Sequence, residues 1–489
     1  MKDKQFRPDA ILWRWMKAIF LLIVVTTTLS FAGCGGSATA ADEDASYAQY
    51  AGNETTAHTP GGMQLWQPPP DDPRPFDGET LTIATARAGW WLGYMQRMAQ
   101  VFMWHYPGVT VEVIDFDGDR VRGLEQIGVQ LMSGTAPVLI DNAFVDHHNP
   151  SNVRFLADWF PFINADPYFN NEYYFMNVFH ASAINGRAYV FPHEFRYRLV
   201  TANSTIPGLA NALAEYDGVT ITQIMELRHH FPTETPLYFG YDFDVAIGVM
   251  WDYLHSFLDM ETGWVDFNNQ RFIDFINYLR EITSPETIFG QRGFGFIAVS
   301  PEEESVWSQR YYFQYINPFI YQYFLDFQED LLFTGVTPIV DNQGRVIINV
   351  WGHALNAQAT PIQQALAFRF MLFLNSVEAH NAAGMWPPWV PVNRELLHLT
   401  IERNFLHEIE TMVRTFGWRL DGTRSEAIET IFARRSAIED MPMTTIQVPN
   451  AIINIIFEAL RDFHYGLISA EQTAQDLQNR ITLVMMEME

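Results

Sequence analysis

Asp115, Asp117 and Asp119 stand at every second position, the opening spacing of a calcium loop. Arg120 occupies the place of that loop's turn glycine and Gln126 the place of its closing carboxylate, so the three read as a solvated rim. Gly293-x-Gly295-x-x-Ala298 has the spacing of a dinucleotide fingerprint but no strand before it or helix after it. His193-Glu194 lacks the second histidine of a zinc-protease helix, and no Gly-x-Ser-x-Gly elbow occurs. No lysine follows Lys17, which removes Schiff-base and P-loop chemistry from the rest of the chain. The only cysteine is Cys34, so a thiol nucleophile, an intrachain disulfide and a cysteine-ligated metal are excluded beyond it. Acidic residues are many, but no spacing singles out a pair for glycoside hydrolysis. What remains is flat and polar: 14 Trp and 20 Tyr, with Trp90-Trp91 and Asp141-Asn142 at positions of interest. Aromatic faces cover the C–H face of a sugar ring, and planar carboxylates and amides match neighbouring hydroxyls.

The elements around these residues explain the interest. Leu81–Ala84 reads as a short strand, and after a Gly-Trp-Trp loop residues 92–105 read as a helix with Met95, Met98, Ala99 and Phe102 on one face. Val109–Ile114 alternates as a second strand, 121–132 is helical, and Gly134–Pro137 turns into a third strand, Val138–Ile140. Strand, helix, strand, helix, strand predicts a parallel sheet covered on both faces. Ligands of such sheets bind beyond the carboxyl ends of the strands, which points to Trp90-Trp91, Asp115–Asp119 and Asp141-Asn142.

Further on, Asn185-Gly186 predicts a type I′ hairpin, and Tyr189–Pro192 leads into Leu199–Asn203. Helices are expected at 219–230 and 268–282, and the aromatic stretch 310–325 reads as part of a helix-rich core. A second hairpin turns at Asn342-Gln343-Gly344. Thr360, Pro361 and Gln363 cap a helix over 361–375. Two helices close the chain, one ended by Gly466 and the last capped by Ser469 and Gln472.

The first stretch bears on location. Five basic residues up to Lys17 precede an apolar run from Ala18 to Val25, then small residues ending at Cys34. That is the layout of a secretory leader, and its apolar run is short for a membrane span. Ala32-Gly33-Cys34 resembles the end of a bacterial lipobox, which implies acylation of Cys34 and removal of 1–33. Residues 34–79 are small, polar and proline-rich, the composition of a flexible tether. The formal net charge is −27, and loss of the leader takes it to about −30, a surface that repels nucleic acid.

Several segments together resemble the extracellular solute-binding proteins of ABC importers, in the maltose-binding-like, carbohydrate-oriented branch. They run from LTIAT at 81–85 through SGTAP at 133–137, LADWFP at 156–161, NGRAYVFP at 185–192 and GWVDFNNQRFIDFINYLREI at 263–282. FTGVTPIVDNQGRVIIN at 333–349, PVNREL at 391–396 and FHYGLISAEQTAQDLQNRI at 463–481 follow in order. The resemblance implies an α/β, two-lobed, periplasmic-binding-protein-like fold with a cleft between lobes joined by crossing strands. It places lobe I at 80–194 plus 350–395 and lobe II at 195–349 plus 396–489, with crossings near 193–203 and 346–356.

In that frame the ligand-binding candidates are Trp90, Trp91, Asp141, Asn142, Trp351, Trp389, Tyr241 and Asp242, with Trp386 beside Trp389 in a proline-rich loop. The implied partners are a carbohydrate, the permease subunits of an ABC importer and the membrane through the lipid on Cys34. The chain is expected to be a monomer without metal, cofactor or catalytic residues. A cell-tethered, secreted carbohydrate-active enzyme is the other class the composition allows.

Overall fold

Strand β1, Thr80–Thr85, sends Leu81 and Ile83 into one core and Ala84 into another, as the two-residue repeat of a strand requires. The computed structural model describes residues 76–488 apart from 87–89, 117–118, 147–148, 168, 198, 204–205, 231–252, 261, 283–312, 317–332, 385–389, 401–434 and 446–447. Packed structure begins before β1: Phe76, expected in the tether, is buried against Tyr106 with 6.3 Å between ring centroids. Helix α1, Trp90–His105, buries Met95, Met98, Ala99 and Phe102. Strand β2 is Thr110–Asp115, and helix α2 is Arg120–Ser133. Asp119 caps α2 by accepting from the Arg122 N–H, and Gly134 ends it at φ 75°, which glycine adopts without strain. Strand β3, Leu139–Asp141, completes the parallel trio β2-β1-β3 that the sequence predicts.

The rest of the sheet departs from the all-parallel expectation. The remaining strands are β4 (Leu156–Ala157), β5 (Val190–Tyr197), β6 (Leu199–Asn203), β7 (Leu258–Asp259), β8 (Trp264–Val265), β9 (Phe313–Ile316), β10 (Phe333–Pro338), β11 (Val346–Asn356), β12 (Val390–Pro391) and β13 (Met443–Thr445). Strand β11 inserts antiparallel between β3 and β5, giving the order β12-β5-β11-β3-β1-β2, with β4 and β13 also paired to β11. A second sheet has the order β10-β6-β9. Within the aromatic stretch 310–325, Phe313–Ile316 is therefore a strand, not helix: it pairs antiparallel with Leu199–Ala202, and that ladder outweighs local propensity.

Two main hydrophobic cores result. The first packs α1, helix α3 (Met176–Ala181), helix α5 (Pro361–Leu374) and helix α6 (Val377–Ala383) against the larger sheet. The second gathers Val200 and Ala202 of β6 with helix α4 (Gln270–Ile282), helix α7 (Asn450–His464) and helix α8 (Ala470–Met488). Phe272, Phe275, Ile276 and Leu279 on α4, and Ile452, Ile456, Ala459 and Phe463 on α7, are the buried stripes expected from their helical spacing. The chain passes between cores where β5 continues into β6, along β11, whose Ile347 and Ile348 belong to different cores, and between Met443 and Val448. Leu397 and Ile438 still pack in the first core.

Candidate functional site

The register sets side chains at successive levels along the carboxyl edge of the larger sheet. Thr85 pairs with Asp115, and Asp141 with His353. On the side of β11, Trp351 pairs with Glu194 and Asn349 with Arg196. The parallel strands end here while β11 begins, and here β5 and β11 leave for the other core.

Asp141 and Asn142 occupy the end of β3, where the sequence places them. Asp141 is buried; its Oδ1 accepts from the Ala143 N–H at 2.9 Å and its Oδ2 from the Ala86 N–H at 3.3 Å. It thereby ties the end of β1 to the end of β3. Asn142 donates from Nδ2 to the Val350 carbonyl at 2.9 Å and accepts the Gly352 N–H at 3.4 Å, which holds β11 on both sides of Trp351.

Trp351 is half-buried on β11. The Arg196 guanidinium lies over its ring, 4.9 Å from the centroid. A cation on one ring face is attracted by the π-cloud and restrains the indole. The ladder shifts register between Trp351 and Gly352, and such bulges re-aim side chains. Only glycine passes at 352, since a Cβ there would stand 2.2 Å from the Phe191 carbonyl oxygen.

The tryptophan pair departs from expectation. Helix α1 starts at Trp90, two residues before the predicted boundary, so both residues belong to its first turn, not to an open loop. Trp91 is 4 % exposed, stacked on Tyr94 at 4.9 Å and on His193 at 5.3 Å. The indole is a core side chain because the rings of Tyr94 and His193 cover it. His193 in turn faces His353 at 5.4 Å, and the Tyr94 hydroxyl meets His380 Nε2 at 3.2 Å. Burial, then the negative charge of Glu194, pushes the Tyr94 phenol well above its ordinary value, so it stays protonated. Tyr241, Asp242, Trp386, Trp389 and Cys34 lie outside the described residues.

Thr85 and Arg196 were not singled out from sequence, and Glu194 was weighed only as part of an incomplete zinc-protease motif. No local spacing marks them for this site; they reach it through strand pairings, as Glu194 does with Trp351, 157 positions away. Among the described residues no group of three or more His, Cys, Asp or Glu is arranged to hold a metal ion, and no helix is long and apolar enough to cross a membrane. A cavity of about 450 Å³ opens elsewhere, with Phe160, Asn164, Met176 and His180 in its wall and none of the strand-edge residues.

No protein-family model matches the chain, and no curated protein matches it. Solved structures do. The sugar-binding protein MalE of Xanthomonas citri is similar with a TM-score of 0.54 at 13% identity, covering 83% of this chain and 98% of its own. A periplasmic oligogalacturonide-binding protein of Yersinia enterocolitica scores 0.52 at 11% identity, covering 84% and 99%. The ABC substrate-binding protein Lmo0181 of Listeria monocytogenes, in complex with cycloalternan, scores 0.50 at 14% identity, covering 84% and 99%. Two cores, crossing strands and near-complete coverage of these neighbours agree: the chain has the two-lobed, periplasmic-binding-protein-like α/β fold.

Proposed function

We propose that this protein captures a carbohydrate between its two lobes and delivers it to an ABC importer, without catalysing a reaction. The observation that carries the reading is the strand-edge site at the crossing, where Trp351 is restrained by Arg196 beside a row of hydrogen-bonding side chains. Aromatic faces with planar polar groups suit a polyhydroxylated ring. The sugar and oligosaccharide ligands named for the structural neighbours favour the same class. Trp351 is the stacking platform in this reading; Asp141 and Asn142 hold the strand ends, and Trp90, Tyr241, Asp242 and Trp389 complete the ligand set. Trp91 acts from beneath by bracing His193. Closure of the lobes about β5, β6 and β11 is the accompanying motion.

The test is a titration of the chain with neutral and acidic oligosaccharides, followed by calorimetry and intrinsic fluorescence. One of them should bind with 1:1 stoichiometry and remain uncleaved. Trp351→Ala should weaken that affinity about ten- to a hundredfold, roughly 1–3 kcal/mol for a lost aromatic contact. Release of shorter sugars would replace this reading with the enzyme, and unchanged affinity in Trp351→Ala would move the platform elsewhere.

The protein is held at the outer face of the cell membrane, as a monomer, by lipid on Cys34. The support is the basic, apolar, small-residue order that ends at the only cysteine. Cys34→Ser should leave the protein unprocessed or send it to the medium; full processing with membrane attachment retained would exclude the lipid anchor.

A further inference from the structure

Two side-chain oxygens at the carboxyl edge are buried and have no hydrogen-bond partner among the described residues: Oγ1 of Thr85 and Oδ1 of Asp115. Their residues are register partners on the parallel strands β1 and β2. Paired positions in a sheet share a face, and alternate residues along a strand return to it. Leu81 and Ile83 on β1, and Val111 and Val113 on β2, pack in the first core, so Thr85 and Asp115 continue that face at the strand ends. Ala84 pairs with Ile140, which brings Asp141 beside Thr85 from the other side. The Asp141 carboxylate is already occupied by the N–H groups of Ala86 and Ala143. The row therefore reads Asp115, Thr85, Asp141, with the hydroxyl of the 0 % exposed residue Thr85 at its centre and a carboxylate oxygen beside it that none of the described residues satisfies.

Buried polar atoms without partners are rare in folded proteins because each forfeits its hydration, and those that persist call for an explanation. Valine has the same shape as threonine and would avoid that cost. A hydroxyl kept here serves something other than the stability of the fold.

We propose that Thr85 and Asp115 determine specificity by binding two adjacent hydroxyls of a neutral sugar ring; this rests on the solute-binding reading above. The Asp115 carboxylate accepts from one hydroxyl. The Thr85 hydroxyl, which both donates and accepts, engages its neighbour. The chemistry also discriminates by charge. Asp115 and Asp141 flank the position and repel a sugar carboxylate, while Arg196 at the far end of the edge lies over Trp351. A neutral vicinal diol is thus favoured over a uronate.

The experiment titrates the wild-type chain, Thr85→Val and Asp115→Asn with maltotriose, cellotriose, xylotriose and trigalacturonate, and records a melting curve for each protein. A neutral trisaccharide should bind the wild type, with affinity tenfold or more weaker in each variant and no competition from trigalacturonate. Thr85→Val should melt at or above the wild-type temperature, since a methyl replaces an unsatisfied hydroxyl. Wild-type affinity in both variants, a preference for trigalacturonate, or a Thr85→Val melting point several degrees lower would each overturn the proposal. A wild type that binds none of the four would instead overturn the solute-binding reading, and this proposal with it.

Discussion

Trp159→Ala is expected to lower stability by about 3–5 kcal/mol, the range for removing a large aromatic side chain from a packed core. Trp159 is 0 % exposed and is among the largest fully buried side chains. Its ring meets the edges of Phe191 at 5.4 Å and Phe162 at 5.9 Å, and lies 6.3 Å from Phe368. These three come from separate parts of the chain, so no one of them can move to fill the space without leaving its own element. The indole Nε1–H also donates to the His353 carbonyl at 3.1 Å, a hydrogen bond that the variant forfeits. Against a typical total of roughly 5–15 kcal/mol, the variant should be near its threshold at ambient temperature. Trp159→Phe should recover much of the loss, because it keeps the ring and forfeits the hydrogen bond. Urea unfolding followed by circular dichroism measures both. A cost below about 1 kcal/mol for Trp159→Ala would mean that the cavity collapses and that this core is less tightly locked than its ring contacts indicate. Since His353 lies on β11 at the functional edge, Trp159→Phe should also weaken sugar binding modestly through the position of that strand.

Stability should fall as pH rises from about 5 to 8, and Glu439 is the group responsible. Glu439 is 1 % exposed, and burial pushes its carboxyl from 4.5 up to about 7. The Arg435 guanidinium, whose Nε lies 3.1 Å from Glu439 Oε1, pulls the other way, as do the Tyr197 hydroxyl at 3.3 Å and the charge of Arg394; Asp440 adds to the rise. The folded value lies above the unfolded one, so folding favours the neutral carboxyl. The resulting stabilisation is complete below about pH 4.5 and is lost as pH passes through 7. A shift of that size corresponds to roughly 3 kcal/mol. Glu439→Gln, which mimics the neutral form, should flatten this part of the profile in melting curves taken between pH 5 and 8.5. Parallel decline in the wild type and the variant would show that another group carries the effect. The location gives the titration a functional side. Asn177 donates to the carbonyls of Glu439 and Met441, β13 follows at once and pairs with β11, and Tyr197 ends β5 at the crossing. The cluster therefore joins the segments that cross between the two cores, and if the lobes close about them as proposed, ligand affinity should drift with pH in the wild type and not in Glu439→Gln.

Much of this protein was legible in its sequence wherever the deciding interactions are local. The capping box of α5 forms as read, with Thr360 and Gln363 exchanging hydrogen bonds, because both partners lie within one turn. Asn185 and Gly186 both take positive φ, at 50° and 74°, because a two-residue hairpin turn demands it and these residues tolerate it. The β1-β2-β3 trio and the stripes of α4 and α7 follow from periodicities of two and 3.6 residues. The tertiary structure decided what depends on pairing between distant segments. The antiparallel insertion of β11, the strand at Phe313–Ile316 and the burial of Trp91 have no signature within their own windows. The same holds for the site: Asp115, Asp141 and Asn142 were visible as strand ends and Trp351 as a candidate, whereas Thr85, Glu194 and Arg196 join them only through the register of five strands. A one-residue slip in that register would turn each side chain to the opposite face, and register is set by core packing over the whole sheet, which no short stretch of sequence contains.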